Sequence, residues 1–248
     1  PAPAIAGVPL LSPHLRTFLP ASALAVVLAL ALPSSPAAAA QPAVGLGTAT
    51  PFAVLAGTTV TNTGPSVISG SVGVSPGTAV VGFPPAVVGN GTIHAANAVA
   101  LQAESDLTTA YNDAAGRGPV VDQTDKELGG QTLTPGVYSA ATSMGLTGTL
   151  TLDAKGDPAA VFIFQAGSTL LTAKSSRVLL IGSAQECNVF WQVGSSATIG
   201  PATMFVGTVM ALTSITLQTG ATGQGRMLAR NGQVSRDTNT ITQPAGAT

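Results

Sequence analysis

The chain has 248 residues, of which 45% are hydrophobic and only 8% are Asp, Glu, Lys or Arg, against about 25% charged in ordinary globular domains. Abundant apolar residues with so little charge reverse the signature of disorder, so the chain is expected to fold, and its length suits one all-β domain. A net charge of −1 supplies no basic field, which counts against nucleic acid and anionic lipid as partners.

At the N-terminal end His14 and Arg16 precede an apolar run from Phe18 to Leu32, followed by Pro33-Ser34-Ser35-Pro36 and Ala37 to Ala40. A basic flank, a short apolar region and an A-x-A-like site read as a secretory signal peptide over 1–40, cleaved near Ala40. Fifteen apolar residues with Pro20 among them fall short of the ~20 that span a bilayer. The expectation is a secreted, extracellular monomer, free of the membrane once the signal is removed. The single cysteine, Cys187, cannot form an internal disulfide and reads as a buried small hydrophobe beside Val189-Phe190-Trp191.

Residues 45–85 are rich in Val, Ile, Thr and Ser broken by Gly and Pro, which suggests short strands and tight turns, with Gly82-Phe83-Pro84-Pro85 as a loop. From Thr92 to Gly116 the pattern changes. Ala96, Ala100, Ala103, Leu107, Ala110 and Ala114 recur at alternating spacings of 4 and 3, which predicts one helix of about 92–115 with Thr92 as N-cap and Gly116 as a left-handed C-cap. Glu104, Asp106 and Asp113 fall off that stripe and are expected in water.

Beyond a polar loop the chain becomes strand after strand. Val161 to Gln165, Val189 to Val193, Met204 to Val206 and Met227 to Ala229 are unbroken apolar runs, so both faces of those strands are expected to be covered, one by a solenoid core and one by the alanine-striped helix. Between them, Thr149 to Leu152, Ala197 to Gly200, Ser214 to Leu217 and Thr240 to Thr242 alternate, with Leu or Ile pointing in and Thr out. From Gln131 to Gln243 there are 18 Thr against 10 charged residues, so threonine takes the place of charge on this surface.

The groups that catalysis needs are sparse. His94 is the one histidine after the signal segment, and no phosphate loop, zinc spacing or EF-hand loop occurs. Asp153 and Asp157 flank Lys155-Gly156 as turn residues. Arg226 and Arg230 are expected to pair with Glu104 or Asp106 on the covering helix. The reading is a non-enzyme with no cofactor and no metal.

Several blocks carry a resemblance: Phe52 to Gly57, Val60 to Gly64, Val72 to Gly77, Leu133 to Tyr138, Asp157 to Gln165, Cys187 to Thr198, and Gly225 to Gly232. Over roughly Val44 to Gln243 the chain resembles the bacterial and fungal ice-binding proteins with a discontinuous β-solenoid (DUF3494 type). The resemblance implies a mainly β protein, a right-handed triangular solenoid over 41–243 with one helix along its axis, and a short flexible tail at 244–248. It implies N-terminal coils placed out of sequence order among C-terminal ones, and an ice crystal surface as partner. Some relatives carry a Thr-(Ala/Gly)-x-(Thr/Asn) motif, matched here by Thr219-Gly220-Ala221-Thr222. Relatives also suggest a cysteine at the position of Ser139 paired with the one at Cys187, a bridge this chain lacks. The candidate ice-binding residues are Thr198, Thr216, Thr219 and Thr222, on a flat, Thr-rich face. The alternative from a different class is a cell-surface or polysaccharide-binding module, which would need stacking aromatics; Trp191, Tyr111 and Tyr138 are the only Trp and Tyr available.

Overall fold

The computed structural model describes residues 41–244; the expected signal segment at 1–40 and all but the first residue of the expected tail lie outside the described residues. The chain opens with a short 3-10 turn, Gly47–Ala49, and then lays down β1 (Phe52–Ala56), β2 (Thr59–Thr63), β3 (Val67–Ser69), β4 (Ser71–Val74), β5 (Ala79–Val81), β6 (Val87–Gly89) and β7 (Ile93–Ala95). Helix α1 (Ala98–Ala115) follows. The second series is β8 (Val120–Asp122), β9 (Thr132–Leu133), β10 (Gly136–Ala140), β11 (Met144–Leu146), β12 (Thr149–Asp153), β13 (Phe162–Ala166), β14 (Leu170–Thr172) and β15 (Arg177–Ile181). It ends with β16 (Val189–Val193), β17 (Ala197–Ile199), β18 (Met204–Ala211), β19 (Ile215–Leu217), β20 (Thr222–Ala229), β21 (Val234–Asp237) and β22 (Thr240–Thr242).

Every ladder is parallel, and the strands stack into three faces. A covered face runs β7, β4, β1, the second halves of β20 and β18, then β16, β13, β10 and β8. A first open face runs β6, β3, β22, the first halves of β20 and β18, then β15, β12 and β9. A second open face runs β5, β2, β21, β19, β17, β14 and β11. The implied break in order is present: β1 lies between β20 and β4, and β3 lies against β22, so the N-terminal coils continue the stack where the C-terminal coils stop.

Alternation of inward and outward side chains fills the core. Tyr138, Phe164 and Trp191 point inward on successive coils and stack, with Phe164 and Trp191 4.0 Å apart at 12°, and Phe205, from another face of the Trp191 coil, tilts against the indole. The indole Nε1 of Trp191 donates to the Val206 carbonyl at 3.0 Å, which satisfies the one polar atom of a buried ring. On the covered face Leu55, Ile163, Phe190, Met210 and Leu228 point the other way and bury against Ala103, Leu107, Ala110 and Ala114 of α1. Both-faced burial explains the unbroken apolar runs.

The helix begins later than its alanine stripe suggests. Ala96 has φ 48°, outside helical space, and Asn97, not Thr92, is the N-cap, accepting from the Ala100 amide at 3.0 Å. Residues 93–95 are strand instead. Gly116 has φ −87°, so it is not a left-handed cap; the last carbonyls are met by Gln165, whose Nε2 donates to Ala114 at 2.8 Å and to Arg117 at 3.0 Å. Met204 to Val206 belongs to the first open face, with Met204 57% exposed. The strand turns the corner at Gly207, φ 110°, and Thr208 to Ala211 form the covered part.

Neither Arg226 nor Arg230 forms the expected ion pair with Glu104 or Asp106, although Arg230 does pack on the helix. Arg226 is buried and donates from Nε to the Thr50 carbonyl at 2.9 Å. Arg230 lies 4.8 Å over the Tyr111 ring and donates to Thr108 at 3.3 Å. Asp106 accepts from the amide and hydroxyl of Thr48, both at 2.7 Å, tying the helix to the first turn. Asp113 pairs with Arg117 at 2.7 Å. Glu104, expected in water, is buried with Oε1 unpartnered, and burial pushes its pKa up to about 8 while the Arg230 charge opposes that shift.

Cys187 sits half-buried in a 3-10 turn rather than in the core. Ser139 is level with Gln165 and Gln192 along the strands. Ser139 and Gln192 are two ladder steps apart, about 9.6 Å, and Cys187 lies off the end of β16 in the turn before it, whereas a disulfide needs Cα atoms within about 7 Å. A cysteine at 139 would not reach it, so the pairing drawn from relatives does not transfer to these positions.

Candidate functional site

The first open face carries two outward ranks set by ladder register. Met204, Thr222, Thr240, Val67 and Val87 form one, and Val206, Gln224, Thr242, Ser69 and Gly89 form the other. Neighbours within a rank stand about 4.8 Å apart and the two ranks about 6.6 Å apart, as pleat geometry dictates. None of these ten positions is charged. Thr240 and Thr242 are exposed on either side of buried Ile241. Among the described residues their hydroxyls have no hydrogen-bond partner in the protein.

Beyond Met204 the face is interrupted. The ranks continue through Arg177 to Thr149 and from Leu179 to Thr151 and Thr132, but β15 meets β18 at a single residue pair, Arg177 with Met204. Past that pair the strands diverge, and Leu180, which points inward, is only half-buried. A trough of about 470 Å³ opens there and runs over the first halves of β18 and β20 to the threonines of β22. Its lining is largely apolar, with Leu179, Phe205 and Val206 beside Gln224 and Arg177.

The second open face carries Gly145, Leu171, Thr198, Thr216, Ser235, Thr61 and Val81 in one rank. That rank too lacks charge, although Asp237 stands on the same face level with Thr63, and much of the face's hydroxyl capacity is spent on the protein itself. Thr216 and Ser235 bond at 3.1 Å, Ser143 and Thr169 at 2.7 Å, and Ser196 and Ser214 accept from the backbone amides of Ser214 and Gln233. Hydroxyls locked along a ladder have fewer bonds left to offer water.

The four threonines singled out from sequence are thus divided. Thr198 and Thr216 are register partners on the second open face, and Thr222 stands on the first. Thr219 is at the corner between them, its hydroxyl donating to Asp237 Oδ2 at 2.6 Å; that bond helps hold the Asp237 carboxyl below the usual range. Thr240 and Thr242 were legible as a Thr-out segment but not as members of the same face as Thr222, because that follows only from the ladder. Turn chemistry accounts for Asp153 and Asp157, which accept from the Lys155 and Ala159 amides at 2.9 Å. Among the described residues no group of three or more His, Cys, Asp or Glu could hold a metal ion, and no helix is long and apolar enough to cross a membrane.

Comparison with known proteins places the chain in a family. A profile of ice-binding-like proteins matches residues 54–242. An ice-binding protein from Nostoc sp. (strain HG1) is 56% identical over 197 residues, covering 79% of this chain and 72% of the relative. Ice-binding protein K3-B1 from Typhula ishikariensis is 38% identical, covering 79% and 88%. This chain belongs to the ice-binding-like family.

Solved structures agree on the fold. The crystal structure of an ice-binding protein from an Antarctic biological consortium superposes with a TM-score of 0.81 at 50% identity, covering 84% of this chain and 94% of that one. One from the Antarctic ascomycete Antarctomyces psychrotrophicus gives 0.79 at 40% identity, covering 81% and 98%. The ice-binding-like match runs from within β1 to the end of β22, so it takes in every complete coil behind both open faces.

Proposed function

We propose that this protein binds ice, without catalysis or cofactor, through the first open face, with Thr240 and Thr242 at the centre of contact and Thr222 beside them. The observation that carries the choice of face is the pair Thr240 and Thr242: exposed, rigidly spaced, and with hydroxyls free for water. The names of the relatives support ice as the ligand. The match of Thr219 to Thr222 with a motif of this family supports the same face, since Thr222 enters it directly after the corner.

Affinity on such a surface comes from many weak contacts at fixed spacing. Hydroxyls and methyls held by a β-ladder order adjacent water into a lattice-like layer, and little side-chain freedom is lost when that layer joins a crystal. Lysine or glutamate would disturb the layer, being long and strongly hydrated, and neither occurs in the two ranks. The expected export agrees with a ligand that grows outside the cell. A polysaccharide-binding role is less well supported, because Trp191, Tyr111 and Tyr138 are all buried and no Trp or Tyr ring remains for sugar stacking.

The test is thermal hysteresis and ice recrystallisation measured on single tyrosine substitutions. Thr222→Tyr, Thr240→Tyr and Thr242→Tyr are expected to lose most of the activity with an unchanged circular dichroism spectrum. Thr198→Tyr and Thr216→Tyr are expected to keep it. The opposite pattern would move the site to the second open face, and full activity in all five would refute a face-borne mechanism.

A further inference from the structure

We infer that ice engages only the ledge formed by β22, β3 and β6, with Thr222 of β20 at its rim, and that the trough between β15 and β22 cuts the threonines of β9 and β12 out of the binding surface. This rests on the choice of face made above and narrows it. Sequence gives no hint of such a division, since Thr132, Thr149 and Thr151 show the same outward alternation as Thr240 and Thr242.

Three observations carry it. The ladder that should join the two parts has one residue pair, so β12 and β15 are not held at the level of β22 by continuous hydrogen bonding. The space between them is about 470 Å³, room for many waters. An ice plane resting on both sides would have to freeze that volume over leucine, valine and phenylalanine surface that offers it few hydrogen bonds. Finally, the residue at the junction is Arg177, exposed and charged, the only charge in the outward ranks from Thr149 to Val87. Its planar fork of five N–H donors and no acceptor imposes on water a hydrogen-bond pattern that the neighbouring threonines do not share.

The experiment compares Thr240→Tyr on the ledge with Thr149→Tyr and Thr151→Tyr beyond the trough. The readouts are thermal hysteresis and the pattern of labelled protein on a single ice crystal, with circular dichroism confirming the fold. The expected result is loss of activity for Thr240→Tyr, and full activity on the same ice planes for Thr149→Tyr and Thr151→Tyr. If all three lose activity, the face stands but its division is refuted. Activity lost only at 149 and 151 would refute the inference and place the site on the far side of the trough. Should all three remain active, the face itself is wrong and the inference falls with it.

Discussion

Trp191 lies flat against Phe164, their ring centroids 4.0 Å apart and their planes 12° from parallel. The contact is one step of a stack that continues to Tyr138 one coil away on one side and is flanked by Phe205 on the other. It locks neighbouring coils at strand spacing, and that spacing is what the open faces display. Trp191→Ala is expected to destabilise by about 3–5 kcal/mol through cavity formation. Trp191→Phe keeps the stack but strands the Val206 carbonyl, for about 1–3 kcal/mol. Urea denaturation of the two variants distinguishes the contributions.

Glu104 predicts a pH dependence of unusual sign. Its carboxyl is pushed from 4.5 to about 8 by burial against the covered face, so between those values the folded chain holds a proton that the unfolded chain has released. Stability therefore falls as pH rises through that window. Glu104→Gln removes the effect: its melting temperature should match the parent at pH 4 and exceed it at pH 9. A parent whose stability is level across this range would refute the assignment.

Arg236 points into the solenoid between Leu217 and Asn62, with no partner for Nε, Nη1 or Nη2 and the Phe83 ring 4.8 Å from its guanidinium carbon. Burial pushes its pKa down to about 10. A buried charge without a counter-ion is a cost, and apolar replacement of such groups is often neutral or stabilising by about 1–4 kcal/mol. Arg236→Met should raise the melting temperature, and a fall of several degrees would show that the guanidinium is satisfied in solution.

Gly225 marks the corner where β20 passes from the first open face to the covered one. A Cβ there would collide with the carbonyl oxygen of Gly207, the matching corner of β18. Gly225→Ala is expected to cost more than about 3 kcal/mol, since overpacking is here compounded by backbone on the other side of the clash. Chemical denaturation measures it.

Thermal hysteresis itself should be insensitive to pH. The ten positions of the two ranks contain no titratable side chain, so activity measured from pH 4 to pH 9 should follow only the folded fraction. A titration of activity in a fully folded sample would place an ionisable group at the ice contact.

Much of this fold is legible in the sequence because the signals are local. The stripe from Ala100 to Ala114 gives the helix, and alternation gives the inward Leu150, Leu152, Ile215 and Ile241. What local pattern cannot give is the face on which an alternating segment lies. Thr216 and Thr240 read alike, yet the first is bonded to Ser235 on one side of the prism and the second is free on another. Strand β18 was misread for a related reason. Its eight residues bend through Gly207, so one continuous apolar segment serves two faces. The buried Glu104 was missed because its position relative to the alanine stripe does not reveal how far the sheet wraps around the helix.

The displaced order of the coils bears on how the molecule comes to exist at all. In an ordinary repeat array each unit can lean on the one made before it. Here β3 pairs with nearby β6 on one side, but its other partner is β22, translated some 170 residues later, so the stretch of surface joining Ser69 to Thr242 is closed by segments from opposite ends of the solenoid. Contacts of such long sequence separation form slowly. The first open face is therefore in two pieces until β22 slots between them.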